Sequence, residues 1–188
     1  SLHFGERLQE RIRTVGSPVC VGLDPHLGRL PVRGEPAEAV RAFCLGVVDA
    51  ISDVVAAVKP QLAFFEQLGS PGIAVLEEVV AAARAAGLLV IADAKRGDIG
   101  STAEAYAVAI LDDAGPLGAD AVTLSPYLGA ESLAPFAARL DAGKGLFVLV
   151  RTSNPGSGAW QCDGEGAIAP RVADWIAAVN REYVTDGG

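Results

Sequence analysis

Histidine is nearly missing from this 188-residue chain: His3 and His26 are the only two. That is too few for a histidine-based metal site, although counting leaves carboxylate-bound magnesium open. Cysteine is scarce as well. Cys20, Cys44 and Cys162 are odd in number and widely spaced, and no C-x-x-C occurs. This excludes a disulfide framework and a structural zinc, and it points to reduced thiols in a cytoplasmic setting. No apolar run approaches the ~20 residues of a membrane span. The N-terminal segment SLHFGERLQERIRT is amphipathic and charged, without the apolar core of a signal peptide. Clustered positive charge is lacking: 15 Lys and Arg stand against 23 Asp and Glu, for a net charge of −8. A nucleic-acid binder would show a basic face, so the acidity is read as solubility. A phosphorylated substrate would need local positive charge against that field. No internal repeat or low-complexity tract is present, and no G-x-G-x-x-G follows the first strand, which weakens a dinucleotide reading.

What is there is apolar. Hydrophobic residues make up 51% of the chain, mostly alanine and valine and none of them methionine. The mean hydropathy is +0.34. That suffices for one globular domain, residues 1–188, with a sizeable core. The chain is organised around VIADAKRGDIGST, Val90 to Thr102. Leu88 to Ile91 is too short for a helix and apolar enough for a buried parallel strand. It ends in Asp93, Lys95, Arg96 and Asp98. If the strand persists, Asp93 and Lys95 point to the same side. Gly97 and Gly100 loosen the backbone, and Ser101 with Glu104 has the S-x-x-E spacing of a capping box. Opposite charges gathered at the end of a buried strand are what an acid–base or electrostatic site needs.

Taken in order, Phe4 to Val15 is expected as a helix, with Phe4, Leu8 and Ile12 on one face, capping one end of the domain. Val19 to Leu23 is a strand that stops at Asp24-Pro25, and His26 to Pro36 is a loop. A helix over Glu35 to about Val55 leads into a strand from Val54 to Val58 that ends at Lys59-Pro60. Pro71 to Ala86 is a helix with Gly87 at its C-cap. After the central strand come a helix over Thr102 to Ala114, a strand from Ala121 to Leu124 ending at Ser125-Pro126, and a helix over Ala130 to Leu140. A strand from Leu146 to Val150 ends in Arg151 to Pro155, followed by a Gly-rich loop from Gly156 to Gly166 and a last helix from Pro170 to Tyr183. Alternating strands and helices imply a parallel α/β sheet. Polar residues at five successive strand ends are the layout of a (β/α)8 TIM-type barrel. A complete barrel takes ~250 residues; about five β/α units are visible, so the domain is expected to lack its C-terminal strands. An open parallel edge invites association.

The stretch DAKRGDIGST resembles the D-x-K-x-x-D-I-x-x-T signature of the orotidine 5′-phosphate decarboxylase family. VGLDPH, AVKPQLAFFE, TLSPYLG and LVRTSNP, in this order, resemble the longer bacterial branch of that family. The resemblance runs from about Phe4 to Asn154 and more loosely to Tyr183. It implies decarboxylation of orotidine 5′-phosphate to UMP and CO2, in pyrimidine biosynthesis, with no cofactor and no metal. Lys95 would be the central group, an ammonium that stabilises the carbanion left at C6 and delivers the replacing proton. Asp93 would lie near the departing carboxylate and also hold Lys95 charged and oriented. Lys59 and Asp98 would complete an alternating array with them. Asp24 matches the carboxylate for ribose hydroxyls, and Ser125 matches a contact to the pyrimidine amide edge. Ser153 lies in the Arg151–Asn154 segment, which with the following glycines suggests a loop closing over substrate. Asp98 and Thr102 would reach the neighbouring site of a homodimer. No segment matches the family's phosphate-gripping strands, and Arg96 receives no role.

Spacing alone fits blander accounts: a lysine bound to its neighbours for structure, Asp24 and Asp98 as turn carboxylates, Ser125 as a turn hydroxyl, Thr102 as a cap. Other activities also remain open. One is a second sugar-phosphate lyase of the same suprafamily, either magnesium-dependent through Asp93 and Asp98 or a Schiff-base aldolase through Lys95 or Lys59. Another is a shortened, non-catalytic barrel.

Overall fold

A computed structural model describes residues 2–162 and 167–184. Helix α1 (Phe4–Val15) precedes β1 (Cys20–Leu23), α2 (Pro36–Ile51), β2 (Ala57–Pro60), the short α3 (Ala63–Glu66), α4 (Ser70–Ala85), β3 (Leu89–Arg96) and α5 (Gly100–Leu111). There follow β4 (Ala121–Leu124), the short α6 (Ala134–Ala137), β5 (Gly145–Val148), the short α7 (Ser157–Gln161) and α8 (Ile168–Val184). All five strands are parallel and lie in the order β1-β2-β3-β4-β5. A doubly wound sheet reverses its order at a switch point. Sequential parallel order with intervening helices is instead the winding of a β/α barrel, here five consecutive units of it.

The sheet's two faces follow from the period of two. Val90 and Ala92 of β3 join the large outer core with Val58, Val122 and the buried sides of the helices. Leu89 and Ile91 face the other way and form a small inner cluster with Ala57 and Ala121. By the same parity Lys59, Asp93 and Thr123 continue the inner face toward the strands' carboxyl ends. Helix α5 buries Ala103, Ala107, Ile110 and Leu111, the i, i+4, i+7, i+8 stripe of an amphipathic helix. Small alanines there let α5 lie close to the sheet.

As expected, α1 closes one end. Phe4 and Leu8 pack on the inner cluster at the strands' amino ends, and the Phe4 ring meets Phe147 edge-on at 5.9 Å. Arg7 is ion-paired to the buried Asp120, whose other oxygen accepts from the Val90 amide at 2.8 Å. A glycine at position 145 is required by this plug, because a Cβ there would lie 2.6 Å from the Phe4 ring.

Several boundaries differ from those the sequence suggests. The second strand begins at Ala57, not Val54, and runs through Lys59 and Pro60. Proline is tolerated there because it is the strand's last residue. Helix α5 starts at Gly100, with Ile99 at its N-cap and no side-chain cap. Ser101 therefore sits inside the first turn, and the S-x-x-E spacing makes no capping box; Glu104 pairs with Arg139 instead, at 2.5 Å. The turn before it is held by Asp98, whose Oδ1 accepts from the Ile99 amide at 2.8 Å. Ala130 to Leu140 is two short pieces, a 3-10 turn over Ala130–Leu133 and then α6, since Pro135 starts a new helix rather than continuing one. The fifth strand spans Gly145–Val148, one residue earlier at its start. The Gly-rich loop contains α7, and its residues 163–166 lie outside the described ones.

Gly145→Ala tests the plug. Overpacking the Phe4 ring is expected to lower stability by ~1–3 kcal/mol, read as a lower urea midpoint. The cost should shrink in a Phe4→Ala background, where the colliding ring is gone.

Candidate active site

The site begins with an irregularity in β3. Its register against β4 pairs Ala92 with Val122 and then Arg96 with Leu124. Four steps on β3 thus match two on β4, so Asp93, Ala94 and Lys95 bulge opposite Thr123 alone. Bulges re-aim side chains. Here Lys95 adopts φ +48°, the only positive φ among the described non-glycine residues, a conformation that costs a side-chain-bearing residue ~1–2 kcal/mol. The turn brings its ammonium back onto Asp93.

The Asp93 carboxylate is the hub. Lys59 Nζ donates to Oδ2 at 2.5 Å and Gln61 Nε2 to the same oxygen at 3.0 Å. Lys95 Nζ and the Thr123 hydroxyl donate to Oδ1, the latter at 2.9 Å. The Asp93 side chain is only 7% exposed, whereas Lys59 and Lys95 are 34% and 46% exposed. One buried carboxylate therefore anchors two ammonium groups that remain partly exposed. Burial works to raise the Asp93 pKa, but the hydrogen bonds from Lys59, Lys95 and Thr123 and the charge of Lys59 outweigh it. The carboxyl is held below its ordinary range. Both lysine amines donate to the carboxylate, while a Schiff-base amine needs a free lone pair.

The other expected residues lie around this hub. Asp24 is exposed just beyond β1, 3.6 Å from where a Cβ on Gly22 would stand, and Gly22 is the ladder partner of Lys59. Ser125 is half-buried beyond β4 and its amide donates to the Arg96 carbonyl at 2.8 Å. Ser153 is exposed in a loop pinned by Gln161, whose Oε1 accepts from the Thr152 amide at 2.7 Å. Thr102 is exposed near the start of α5. Asp98 is half-buried at the preceding turn. The array in this chain is thus Lys59–Asp93–Lys95, with Asp98 turned to the Ile99 amide.

Sequence reasoning missed Gln61 and Thr123. Strand parity could have found both, since Gln61 follows Lys59 by two and Thr123 follows Ala121 by two. Arg96 points to the outer side of the sheet, where it pairs with Glu66, donates to the Ala94 carbonyl at 3.2 Å and lies over the Tyr106 ring at 5.5 Å. Among the described residues no group of three or more His, Cys, Asp or Glu is placed to hold a metal ion, and no helix is long and apolar enough to cross a membrane. All three cysteines are free thiols; burial pushes the Cys44 thiol up to about 12.

Sequential parallel strands with a charged cluster at their carboxyl ends define a protein of the β/α-barrel class, its site on the face where such barrels carry their chemistry. Residues 17–187 match the model of the Orotidine 5′-phosphate decarboxylase / HUMPS family, and the chain belongs to that family. It is 47% identical over 191 residues to an orotidine 5′-phosphate decarboxylase of Corynebacterium glutamicum, covering 98% of this chain and 68% of the relative. A crystal structure from Streptomyces avermitilis superposes with a TM-score of 0.88 at 46% identity, covering 96% of this chain and 65% of that one. The OMP decarboxylase of Leishmania donovani superposes with a TM-score of 0.80 at 38% identity, covering 95% and 67%. The chain thus spans about two thirds of the length of these relatives.

The depressed Asp93 pKa makes a stability prediction. Its contribution is fully present above the unfolded value of ~3.9 and is lost as pH falls through the lower folded value. The wild-type urea midpoint should therefore drop as pH falls below ~4, and that component should be missing in Asp93→Asn. Lys59→Ala removes a donor to the carboxylate and raises its folded value toward the unfolded one, so the acid-dependent loss should shrink.

Proposed function

We propose that this chain carries the catalytic centre of an orotidine 5′-phosphate decarboxylase, releasing CO2 to form UMP in pyrimidine biosynthesis. The observation that carries the reading is the buried Asp93 carboxylate clamped between the ammonium groups of Lys59 and Lys95, in a chain of that family. Loss of CO2 from C6 of the pyrimidine leaves an electron pair with no adjacent carbonyl to delocalise it. An ammonium already fixed beside that carbon stabilises the developing charge without reorganising. Lys95 takes this role and then gives its proton to C6. Asp93 holds Lys95 in place and lies next to the substrate carboxylate, whose departure relieves the repulsion between two like charges. Lys59 offsets the charge on Asp93 from the neighbouring strand β2. No cofactor enters this scheme.

Asp24 takes ribose hydroxyls, Ser125 the pyrimidine amide edge, and Ser153 a place in the segment that folds over substrate. Asp98 and Thr102 serve the site of a second copy in a homodimer. Support for that arrangement comes from their surroundings. Ile99 is 58% and Tyr127 72% exposed, and the two loops adjoin, since a Cβ on Gly97 would lie 2.7 Å from the Ser125 carbonyl. Apolar side chains exposed beside charged ones suit a protein interface. The remaining barrel strands, with the phosphate-binding groups, belong in this reading to a longer product that covers the outer edges of β1 and β5. The setting is the cytoplasm, where Cys20, Cys44 and Cys162 stay reduced.

The test follows the loss of orotidine 5′-phosphate absorbance with the full-length protein. The wild type should turn over with or without EDTA, and Lys95→Ala should fall by at least ~100-fold. Mixing Lys95→Ala with Asp98→Asn should restore activity that neither has alone, because a mixed dimer contains one intact site. EDTA-sensitive turnover, or covalent trapping by borohydride with substrate, would replace this reading with another lyase. No turnover by folded wild type would sink it.

A further inference from the structure

The β3 bulge leaves a problem of accounting. Where two β3 steps have no counterpart on β4, the amides of the bulged residues lose their ladder acceptors, and unpaired amides in a sheet are costly. Thr123 is the residue opposite. Its Oγ1 accepts from the Ala94 amide at 3.0 Å and from the Lys95 amide at 3.0 Å. The hydroxyl's single proton then goes to Asp93 Oδ1 at 2.9 Å. All its capacity is used, two acceptor sites and one donor. No apolar residue, and no backbone carbonyl of β4 in this register, offers the same three bonds.

We propose that Thr123 is a positioning residue for the decarboxylation: its hydroxyl replaces the missing ladder acceptor and so fixes the left-handed Lys95 backbone and the Asp93 carboxylate relative to each other. It acts through the two residues it joins, Asp93 and Lys95. From the outer side, Arg96 Nη1 donates to the Ala94 carbonyl, so the peptide before Lys95 is held from both faces of the sheet. The inference rests on the decarboxylase reading for its effect on rate, but not for its effect on the bulge.

Three measurements on the full-length protein test it. In the wild type, amide hydrogen exchange at Ala94 and Lys95 should be protected, although neither amide bonds to a backbone carbonyl of β4. Exchange at the rate of free amides would overturn the proposal without any variant or assay. Thr123→Val keeps the shape and removes the hydroxyl; Thr123→Ser keeps the hydroxyl. The valine variant should lose kcat by about 10- to 100-fold, the scale of leaving buried hydrogen-bonding groups unpaired, with a smaller change in KM. The serine variant should stay within a few-fold of wild type. The groups facing the Asp93 carboxylate are Lys59 and Gln61 from the β2 side, Lys95 from β3 and Thr123 from β4. Removing only the hydroxyl takes one donor from the ionised form. The Asp93 carboxyl, followed by carbon-13 NMR, should then titrate at higher pH in Thr123→Val than in Thr123→Ser, and the acid limb of kcat/KM should move the same way. A valine variant that matches wild type in kcat and titration, or a serine variant as impaired as valine, would overturn the assignment. If folded wild type shows no turnover, the functional reading fails by itself, while exchange and titration still decide whether Thr123 holds the bulge.

Discussion

A carboxylate buried in a sheet must be neutralised, and that demand organises the carboxyl end of this barrel. Asp93 lies midway along β3, after four residues that are wholly apolar. Removing it from water without partners would cost several kcal/mol. Four donors from three strands converge on it, and each must come from an inner-face position of its own strand. The strands' registers, the bulge and the positive φ of Lys95 all serve that convergence. The lysines in turn are brought within reach of one another, an arrangement that two like charges would not adopt without the carboxylate between them.

The amino end shows the opposite solution. There the inner face is closed by hydrocarbon: Ala57, Leu89, Ile91 and Ala121 under the Phe4 and Leu8 side chains. Polar groups at that end, Arg7 with Asp120 and Lys144 with Asp113, tie α1 and the strand entrances together. The same inner surface is thus dry where stability is needed and charged where a ligand can arrive. This separation suits a barrel whose chemistry sits at one end and whose packing sits at the other.

Much of this was legible in the sequence, for identifiable reasons. Leu88 to Ile91 is a continuous apolar run, and only a strand covered on both faces reads that way; the alternation of Asp93 and Lys95 followed from it. The ends of β1 and β4 were legible because Asp24-Pro25 and Ser125-Pro126 stop them, whereas β2 and β3 run on through their charged residues to Pro60 and Arg96, and β5 stops at Val148, before the charge that was expected to end it. What escaped notice depends on contacts between segments distant in the chain. The register shift between β3 and β4 leaves no mark in either strand's own composition, so the positive φ of Lys95 could not be seen, and parity could place Thr123 on the inner face but not show its bonds to the bulge. Ser101 and Glu104 have capping-box spacing, yet the helix starts earlier because Asp98 has already closed the turn, and Glu104 is drawn to Arg139. Ala130 to Leu140 has helical periodicity, but Pro135 divides it. Local patterns were overruled wherever a tertiary partner offered a stronger bond.

The placement of Arg96 shows how function and folding share one short segment. Lys95 and Arg96 are adjacent cations, and strand geometry sends them to opposite faces. Lys95 turns inward to a carboxylate that is only 7% exposed. Arg96 turns outward to Glu66 and the face of Tyr106, where a planar guanidinium can stack and bond at once. A lysine at position 96 could not do both, and an arginine at position 95 would bring a fixed, bulky fork where a compact ammonium meets the Asp93 carboxylate. The two cations are therefore not interchangeable, although they are neighbours of equal charge. The outer one resists any rotation of the strand about its axis, since such a rotation would break its bond to Glu66 and lift it from the ring. The same rotation would carry the Lys95 ammonium away from Asp93. Stiffness at the outer face is in this way converted into accuracy at the inner one, over the width of a single strand.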